Sequence, residues 1–271
     1  MTAPMTARDS LCARACAVLQ TADPAAKAAA GAAVARDWRD GVIANVGACP
    51  PPPRPARPAL PVLRRPGDMP RRRTGGPSGR IALLHAVAHI ELNAIDLAWD
   101  MIARFAATGW PRAFFDDWAR VGAEEAKHFT LLCGRLAALG AAYGDLPAHD
   151  GLWQAALATA HDPLARLAMA PLVLEARGLD VTPGMIERLK AAGDGESVAI
   201  LRIILADEIT HVAAGRRWFS HLAEARGLDP ATAFQDLVRR HHGGRIKPPF
   251  NRAARDSAGL YADWYEPLVD G

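Results

Sequence analysis

The chain reads EEAKH at residues 124–128 and DEITH at residues 207–211. Each stretch holds a Glu-x-x-His motif, and a single glutamate precedes each motif at a similar distance, 34 positions in the first half and 33 in the second. The pattern comprises six residues: Glu91, Glu125, His128, Glu175, Glu208 and His211. A three-residue spacing places the Glu and the His of one motif on the same face of a helix. The sequence therefore predicts two similar helix pairs in succession.

Apolar residues at helical spacing surround all four glutamates of this pattern. They predict helices over about residues 80–107, 112–140, 163–179 and 194–226, with short helices near 151–160 and 230–242. With about 100° per residue, each glutamate lies in the middle of an apolar face. The opposite side of the first helix carries His85, His89, Asp96 and Asp100. Because alanine and leucine are abundant and aromatic residues make up only 6%, we expect an all-α fold.

A carboxylate on an apolar helix face is costly to bury unless it is paired or binds a metal. A four-helix bundle can hold two iron or manganese ions with one Glu from each of two helices and one Glu-x-x-His from each of the others. In such a site each motif Glu can bridge the metals while its His binds one of them. One Glu-x-x-His in an alanine-rich helix arises easily by chance, but two in matching register are specific. We therefore predict that the six residues bind two irons, an iron–manganese pair or two manganese ions.

Each motif glutamate follows another acidic residue, Glu124 in the first motif and Asp207 in the second. These residues lie about 100° around the helix from the predicted ligands. Metal-bound histidines commonly donate their second N–H to a carboxylate. We assign Asp207 to His128 and Glu124 to His211 on this basis.

The remaining sequence predicts three further segments around a bundle of residues 80–226. Residues 1–47 form accessory helices with a break near Asp23-Pro24, and residues 227–271 form a helix and a tail that pack on the bundle. Residues 48–79 are rich in Pro, Arg and Gly, which excludes regular helix and central strand. We expect this segment to be an extended strap anchored by Leu60, Val62 and Leu63, with free disorder as the alternative.

Two prolines affect the predicted helices in the second half of the chain. Pro171 removes a backbone hydrogen bond four residues before Glu175, so it either kinks the ligand helix or shapes its start. Pro183 is predicted to begin a separate short helix.

The cysteines and the remaining histidines receive structural interpretations. Cys12 and Cys16 are one helical turn apart, but no third Cys or His lies nearby in the sequence to complete a zinc site. We interpret them as small residues on helix faces in a reducing cytosol. For His85 and His89 we favour packing against the strap or the AHDGLW segment at residues 148–153 over a third metal site.

Composition restricts location and partners. The 271-residue chain is 50% hydrophobic and has a net charge of +3. It shows no convincing secretory signal and no span of about 20 apolar residues, so we expect a cytoplasmic protein without a membrane helix. Its small net charge argues against nucleic-acid binding. The alternative rests on a set of basic residues: Arg64, Arg65, Arg71, Arg72, Arg73, Arg239, Arg240, Arg245 and Lys247.

Several stretches resemble a known bacterial family, among them GRIALLHAVAHIELNAIDLAWDMIARF, EEAKHF, AHDGLW, LEARGLDVTPGM, DEITHVAAG and KPPFNR. The six-residue pattern is similar to that of the ferritin-like di-iron carboxylate superfamily. The stretches resemble its family named domain of unknown function four-five-five, over about residues 50–255. The resemblance implies a ferritin-like four-helix bundle with one long crossover. It also implies oxygen or peroxide chemistry at two irons bridged by Glu125 and Glu208, the residues that we expect to be catalytic.

Three functions fit these expectations. The first, which we favour, is an oxidase or monooxygenase that uses oxygen or peroxide on an organic substrate, with electrons from a donor protein. The second is a protective ferroxidase or peroxidase. The third is a non-catalytic bundle that is stabilised by metal and binds a partner. The long additions at both ends favour a monomer or homodimer over a storage cage.

Overall fold

The computed structural model describes residues 9–65, 68–69, 76–242 and 246–269. Across these ranges the chain is helical apart from its connections and one pair of two-residue strands, so the all-α prediction is confirmed. The chain divides into two compact units, Met1–Asp150 and Gly151–Gly271.

The first unit contains these elements in chain order: α1 (Leu11–Leu19), α2 (Pro24–Arg39), β1 (Leu63–Arg64), α3 (Gly76–Phe105), a 3₁₀ turn (Ala106–Thr108), α4 (Arg112–Ala138) and β2 (Ala148–His149). The second unit contains these: α5 (Gly151–Ala158), α6 (Pro163–Met169), a π-helical segment (Ala170–Glu175), α7 (Ala176–Ala191), α8 (Gly195–Ala225), α9 (Pro230–His241), α10 (Arg252–Ser257), α11 (Ala262–Tyr265) and a final 3₁₀ turn (Glu266–Leu268).

Capping side chains explain where several of these helices begin. Asp23 accepts a hydrogen bond from the Ala26 amide at 2.8 Å, and Pro24 follows at the first position of α2. Asp194 and Asp229 cap α8 and α9 in the same way. Such caps satisfy amides that have no partner within the helix. The predicted break near Asp23-Pro24 is therefore confirmed.

Helix α3 is the centre of the first unit and is buried on nearly all sides. It packs against α4 and α1, while α2 packs on α4. The side of α3 that was expected to be polar is also buried, but its charged groups have partners. Asp100 forms an ion pair with Arg104 at 2.8 Å, and Asp96 forms one with Lys27 at 2.5 Å. These ion pairs explain how the two aspartates can be buried beneath other elements.

The segment Gly76–Thr108, which includes α3, is long and apolar enough to cross a membrane, with a mean hydropathy of 1.4 in its most apolar window. The sequence prediction that no such span exists was therefore wrong on composition. However, 78% of that window is buried inside the protein. The core helix of a soluble protein passes the same test, and this burial is consistent with such a helix.

The strap is ordered over residues 48–65, and its buried apolar residues are Pro55 and Pro61 rather than the three that were expected. Leu60, Val62 and Leu63 are 56%, 53% and 41% exposed, so the predicted anchors were wrong. Arg57 instead contacts Asn93 at 2.7 Å and Asp96 at 3.2 Å on α3. Backbone pairing contributes as well, because β1 forms a parallel pair with β2. Polar contacts, the short strand pair and the two buried prolines together hold the strap in place.

Residues 141–149 pack on the histidines of α3. His89 Nδ1 lies 2.8 Å from the Tyr143 hydroxyl, and its Nε2 lies 3.0 Å from the carbonyl oxygen of His149. The Gly144 amide donates to His85 Nε2 at 3.0 Å. Burial lowers the pKa of His89 to about 4, so this ring is neutral. The packing interpretation is confirmed for His89, which contacts His149, whereas His85 packs on residues 143–144 instead of the expected segments.

In the second unit, α6, the π-helical segment and α7 follow one another without a break, and Pro183 lies inside α7. The prediction that Pro183 begins a new helix was wrong. Because proline has no N–H, it leaves the carbonyl of Leu179 without its helical donor. The Asn251 side chain supplies the missing hydrogen bond at 3.1 Å. The helix continues because the C-terminal tail satisfies this oxygen.

The same tail is held to the second unit by a buried ion pair. Arg255 donates to both carboxylate oxygens of Asp180, at 2.9 and 2.7 Å. The two side chains are almost fully buried. The tail residues Phe250 and Tyr265 lie beside this pair and contact each other edge to face, with ring centroids 4.8 Å apart. The tail is therefore an integral part of this unit.

Candidate metal centre

The first unit brings together the first three predicted ligands. Glu91 projects from α3, while Glu125 and His128 project from α4. His128 Nδ1 lies 3.1 Å from Glu91 Oε2 and 3.4 Å from Glu125 Oε2. All three side chains are buried, and they offer ligand atoms within 4.8 Å of one another. We refer to Glu91, Glu125 and His128 as the first trio.

Electrostatics in the first trio favour a bound positive charge. Burial and the neighbouring Glu125 charge raise the pKa of Glu91 well above its usual range. Burial alone would lower the pKa of His128, but hydrogen bonds to Glu125 and Glu91 outweigh it and raise this pKa to about 11. Without metal, these groups hold at least one proton at neutral pH. A cation could take the place of that proton.

The second unit contains the equivalent residues Glu175, Glu208 and His211, the second trio. Glu208 and His211 lie on α8, with His211 Nδ1 3.6 Å from Glu208 Oε2, and both are buried. Glu175 ends the π-helical segment and is half-buried. None of the Glu-x-x-His residues points to solvent, as a metal site requires. That the two trios share one shell stays a prediction.

The π-helical segment confirms that Pro171 disturbs the ligand helix. This proline removes one donor from the helical ladder, and the chain forms a wider turn that ends at Glu175. Gly215 on α8 faces the proline ring, and a Cβ at Gly215 would overlap the Pro171 side chain. The position of Glu175 therefore depends on a close approach that only glycine permits.

The acidic residues that precede the motif glutamates, Glu124 and Asp207, lie at half-buried positions. Glu124 is half-buried and accepts a hydrogen bond from Arg120 at 2.8 Å. Asp207 is also half-buried, and its carbonyl oxygen accepts from the Thr210 hydroxyl. Their assigned roles beside His211 and His128 stay predictions.

Three cysteines form a second cluster that the sequence interpretation missed. Cys49 Sγ lies 2.9 Å from Cys12 Sγ and 2.7 Å from Cys16 Sγ. Cys12 and Cys16 are buried, and Cys49 is half-buried. Burial raises the pKa of Cys12 to about 12 and that of Cys49 to about 11. Cys12 and Cys16 are buried, unbonded thiols on α1. What the sequence did not reveal is their proximity to Cys49, which the strap returns to α1 across 33 positions of sequence.

A surface pocket of about 630 Å³ lies between α2 and α4. Its lining is partly basic, with Arg36, Arg39, Arg112, Arg120 and Lys127. Several of these cations have acidic neighbours, as Arg112 has in Asp116 at 3.6 Å.

Of the basic residues considered from the sequence for nucleic-acid binding, Arg239 pairs with Asp236 at 3.1 Å. Arg71, Arg72, Arg73 and Arg245 lie outside the described residues.

Comparison with known proteins identifies the family of this chain. A family model described as "Protein of unknown function (DUF455)" matches residues 20–266. A protein of Haemophilus influenzae named "Uncharacterized protein" is 45% identical over 204 residues, which cover 73% of this chain and 71% of the relative. No solved structure gave a significant match. Because the family match spans both units and all six predicted ligands, the chain belongs to the DUF455 family.

Proposed function

We propose that this protein is a ferritin-like di-iron carboxylate protein that uses oxygen or peroxide to oxidise an organic substrate. The observation that carries the proposal is the first trio, in which Glu91, Glu125 and His128 are buried within ligand distance of one another. Its residue types recur in the same order in the second trio. Two such sets together are the ligands that di-iron bundles use.

The chemistry of the donors fits iron or manganese. Each trio offers two carboxylates and one imidazole, a mixed set that suits these metals and leaves positions for water or oxygen. The pKa values of Glu91 and His128 are both raised. This indicates that the negative charge of the buried carboxylates is unfavourable without a positive charge beside it. A soft metal would instead prefer sulfur ligands, and none of the six residues supplies sulfur.

Each residue then has a defined role. Glu91, Glu125, Glu175 and Glu208 would hold the metals through carboxylate oxygens, and His128 and His211 would each donate a neutral nitrogen. When bound, the metal pair would supply the redox chemistry that activates oxygen or peroxide. On loading, the protonated ligand residues would release their protons to the solvent. A donor protein would supply electrons.

The second unit surrounds its trio with apolar side chains. Ala168, Leu172 and Ile204 are at most 3% exposed and lie within about two turns of a ligand on their own helices. In the first unit, Phe129 follows His128 and is 3% exposed. These residues would exclude water and favour an apolar substrate over free Fe²⁺. We therefore favour the oxygenase over the ferroxidase, and we predict an apolar cavity beside the metals.

The first experiment identifies the metals. Protein purified from its own host is analysed for iron and manganese, and absorption spectra are recorded before and after reduced protein meets oxygen. We expect two metal ions per chain and a spectral change on oxygen exposure. Fewer than two ions in wild type, or a metal content unaffected by Glu125→Ala, would contradict the di-metal assignment.

The second experiment separates an oxygenase from a scavenger. Reduced, iron-loaded protein is mixed with oxygen, and oxygen decay is followed with and without a small-molecule extract of host cells. We expect the extract to accelerate the decay and Ala168→Phe to abolish that acceleration while iron content is kept. The matched variant Ala158→Phe, at an exposed position of α5, should behave like wild type.

Two results would overturn the oxygenase. If oxygen decay is fast, consumes Fe²⁺ catalytically and ignores both extract and Ala168→Phe, the protein is a ferroxidase. If the loaded protein consumes neither oxygen nor peroxide, the metal has a structural role in a binding protein. Should Ala168→Phe fail to fold, Ala168→Val narrows the same position with less overpacking.

A further inference from the structure

The three cysteines of the first unit converge from two distant parts of the chain. Cys12 and Cys16 are one turn apart on α1, and Cys49 lies in the extended segment that opens the strap. Their sulfur atoms all lie within 4.8 Å of one another. Three thiols at one point are more than a disulfide requires, because a disulfide uses only two.

Backbone hydrogen bonds hold this arrangement in place. The amides of Leu11 and Cys12 donate to the carbonyls of Asn45 and Val46, at 3.0 and 2.9 Å. Gly47 then turns the chain with a φ of 63°, a conformation that favours glycine. The convergence of the sulfurs thus follows from backbone pairing between α1 and residues 45–46.

One of the thiols also receives a backbone donor. The Cys49 amide donates to Cys12 Sγ at 3.1 Å. Hydrogen bonds of this kind stabilise the negative charge of a thiolate, which is the form that binds metals. This amide is therefore a supporting contact of the kind that surrounds metal ligands.

We propose that Cys12, Cys16 and Cys49 form a three-thiolate site for a thiophilic d¹⁰ cation, Cu⁺ or Zn²⁺. Thiolate sulfur selects these soft cations over iron or manganese held by oxygen ligands. Three S–H protons pass to the solvent as three sulfur–metal bonds form. Cu⁺ is satisfied by three sulfurs, whereas Zn²⁺ takes a fourth ligand, which water can supply at half-buried Cys49.

Binding requires only a small rearrangement. Metal–sulfur bonds of about 2.3 Å at a tetrahedral angle separate sulfurs by about 3.8 Å. The two short sulfur pairs must therefore open by about 1 Å, which rotation of the half-buried Cys49 side chain can provide. The cation would tether α1 to the start of the strap. Cys12 Sγ also lies 3.6 Å from the Ala103 carbonyl, so the tether adjoins α3.

The test titrates full-length, fully reduced protein with Cu⁺ or Zn²⁺ against a chromophoric chelator under nitrogen. The titrations are repeated in a Glu125→Gln background, so that cations bound by the carboxylates of the candidate metal centre are not counted as bound by the cysteines. We expect one thiophilic cation per chain and, for Cu⁺, an ultraviolet thiolate-to-metal band. Cys49→Ser should weaken binding by at least about tenfold, the loss that follows removal of even a supporting contact in metal sites.

The fourth cysteine provides the matched control. Cys133 lies on α4, is half-buried like Cys49 and is absent from the cluster. Cys133→Ser should bind the cation as wild type does. Cys12→Ala and Cys16→Ala should match Cys49→Ser, with helix content measured by circular dichroism to verify folding.

The outcomes are distinct. Tight Cu⁺ binding, or tight Zn²⁺ binding, that depends on the three cysteines supports the site and identifies its cation. Binding that is equal in wild type and Cys49→Ser overturns the proposal. The proposal is also overturned if the reduced protein binds neither cation. A disulfide to Cys49 after mild oxidation would then identify the cluster as a redox pair.

Discussion

At the scale of the residue, His128 has the most unusual environment in the described part of the first unit. Two carboxylates approach one of its ring nitrogens within 3.1 and 3.4 Å in a fully buried site. The result is a raised pKa on both the imidazole and Glu91. Protons and metal ions therefore compete for the same atoms.

This competition predicts that the metal-free protein loses stability as the pH rises. The pKa of His128 is about 11 in the folded protein and about 6.5 in the unfolded chain. The stabilisation that it provides is full below about pH 6.5 and disappears as the pH rises through about 11. The raised pKa of Glu91 has the same sign, because the folded state again binds more protons than the unfolded state.

Thermal unfolding of chelated protein between about pH 7 and 10 would measure this effect. The midpoint should fall with pH more steeply in wild type than in His128→Gln. His221→Gln, at an exposed position of α8, should retain the wild-type slope. Equal slopes in wild type and His128→Gln would show that His128 is not charged in the metal-free fold.

At the scale of the element, the helix that carries Glu175 is shaped by two prolines with opposite outcomes. Pro171 produces a π-helical turn, because α8 presents Gly215 to its ring. Pro183 leaves α7 regular, because Asn251 satisfies the carbonyl that it exposes. The effect of each proline is thus decided by a residue from another element.

Gly215→Ala tests the dependence of Glu175 on the π-helical turn. The added Cβ would overlap the Pro171 ring, so we expect a loss of about 1–3 kcal/mol in the free energy of unfolding and weaker metal binding. Gly178→Ala is the control, since a Cβ there meets nothing within 4 Å, and alanine favours helix by up to about 1 kcal/mol. Urea unfolding and metal titration measure both effects. If Gly215→Ala and Gly178→Ala bind metal equally well, the position of Glu175 does not depend on the π-helical turn.

Sequence patterns predicted the helices well because capping residues and apolar periodicity are local. They failed where the deciding partner is distant in sequence. Leu60 and Val62 looked like anchors of the strap, yet Arg57 forms the contacts, because Asp96 on α3 offers a buried charge. The cysteine cluster escaped notice for the same reason, since Cys49 reaches Cys12 only through the pairing of residues 45–46 with α1.

At the scale of the whole molecule, the repeat in the sequence matches the division of the structure. Met1–Asp150 contains the first trio and Gly151–Gly271 contains the second. Each unit thus contributes two carboxylates and one imidazole. The proposed function requires both sets, because a di-metal site of this type uses four carboxylates and two imidazoles.

Single substitutions in the two units should therefore have the same effect on metal content. We expect Glu125→Ala and Glu208→Ala each to reduce binding of both metals, and the double variant to add little further loss. Glu187→Ala, at an exposed residue of α7 paired with Lys190, is the control. Metal analysis after equilibrium dialysis gives the stoichiometry. If each single variant loses one metal and the double variant loses two, the units bind metal independently.

The buried contact between Lys27 and Asp96 has a consequence for synthesis on the ribosome. The two residues are 69 positions apart, and both are almost fully buried. A lysine emerging from the ribosome lacks its buried partner, Asp96, until most of α3 has been translated. An unpaired charge of this kind is too costly to bury. The N-terminal helices must therefore stay accessible to chaperones and proteases during translation, and they close only when residue 96 arrives.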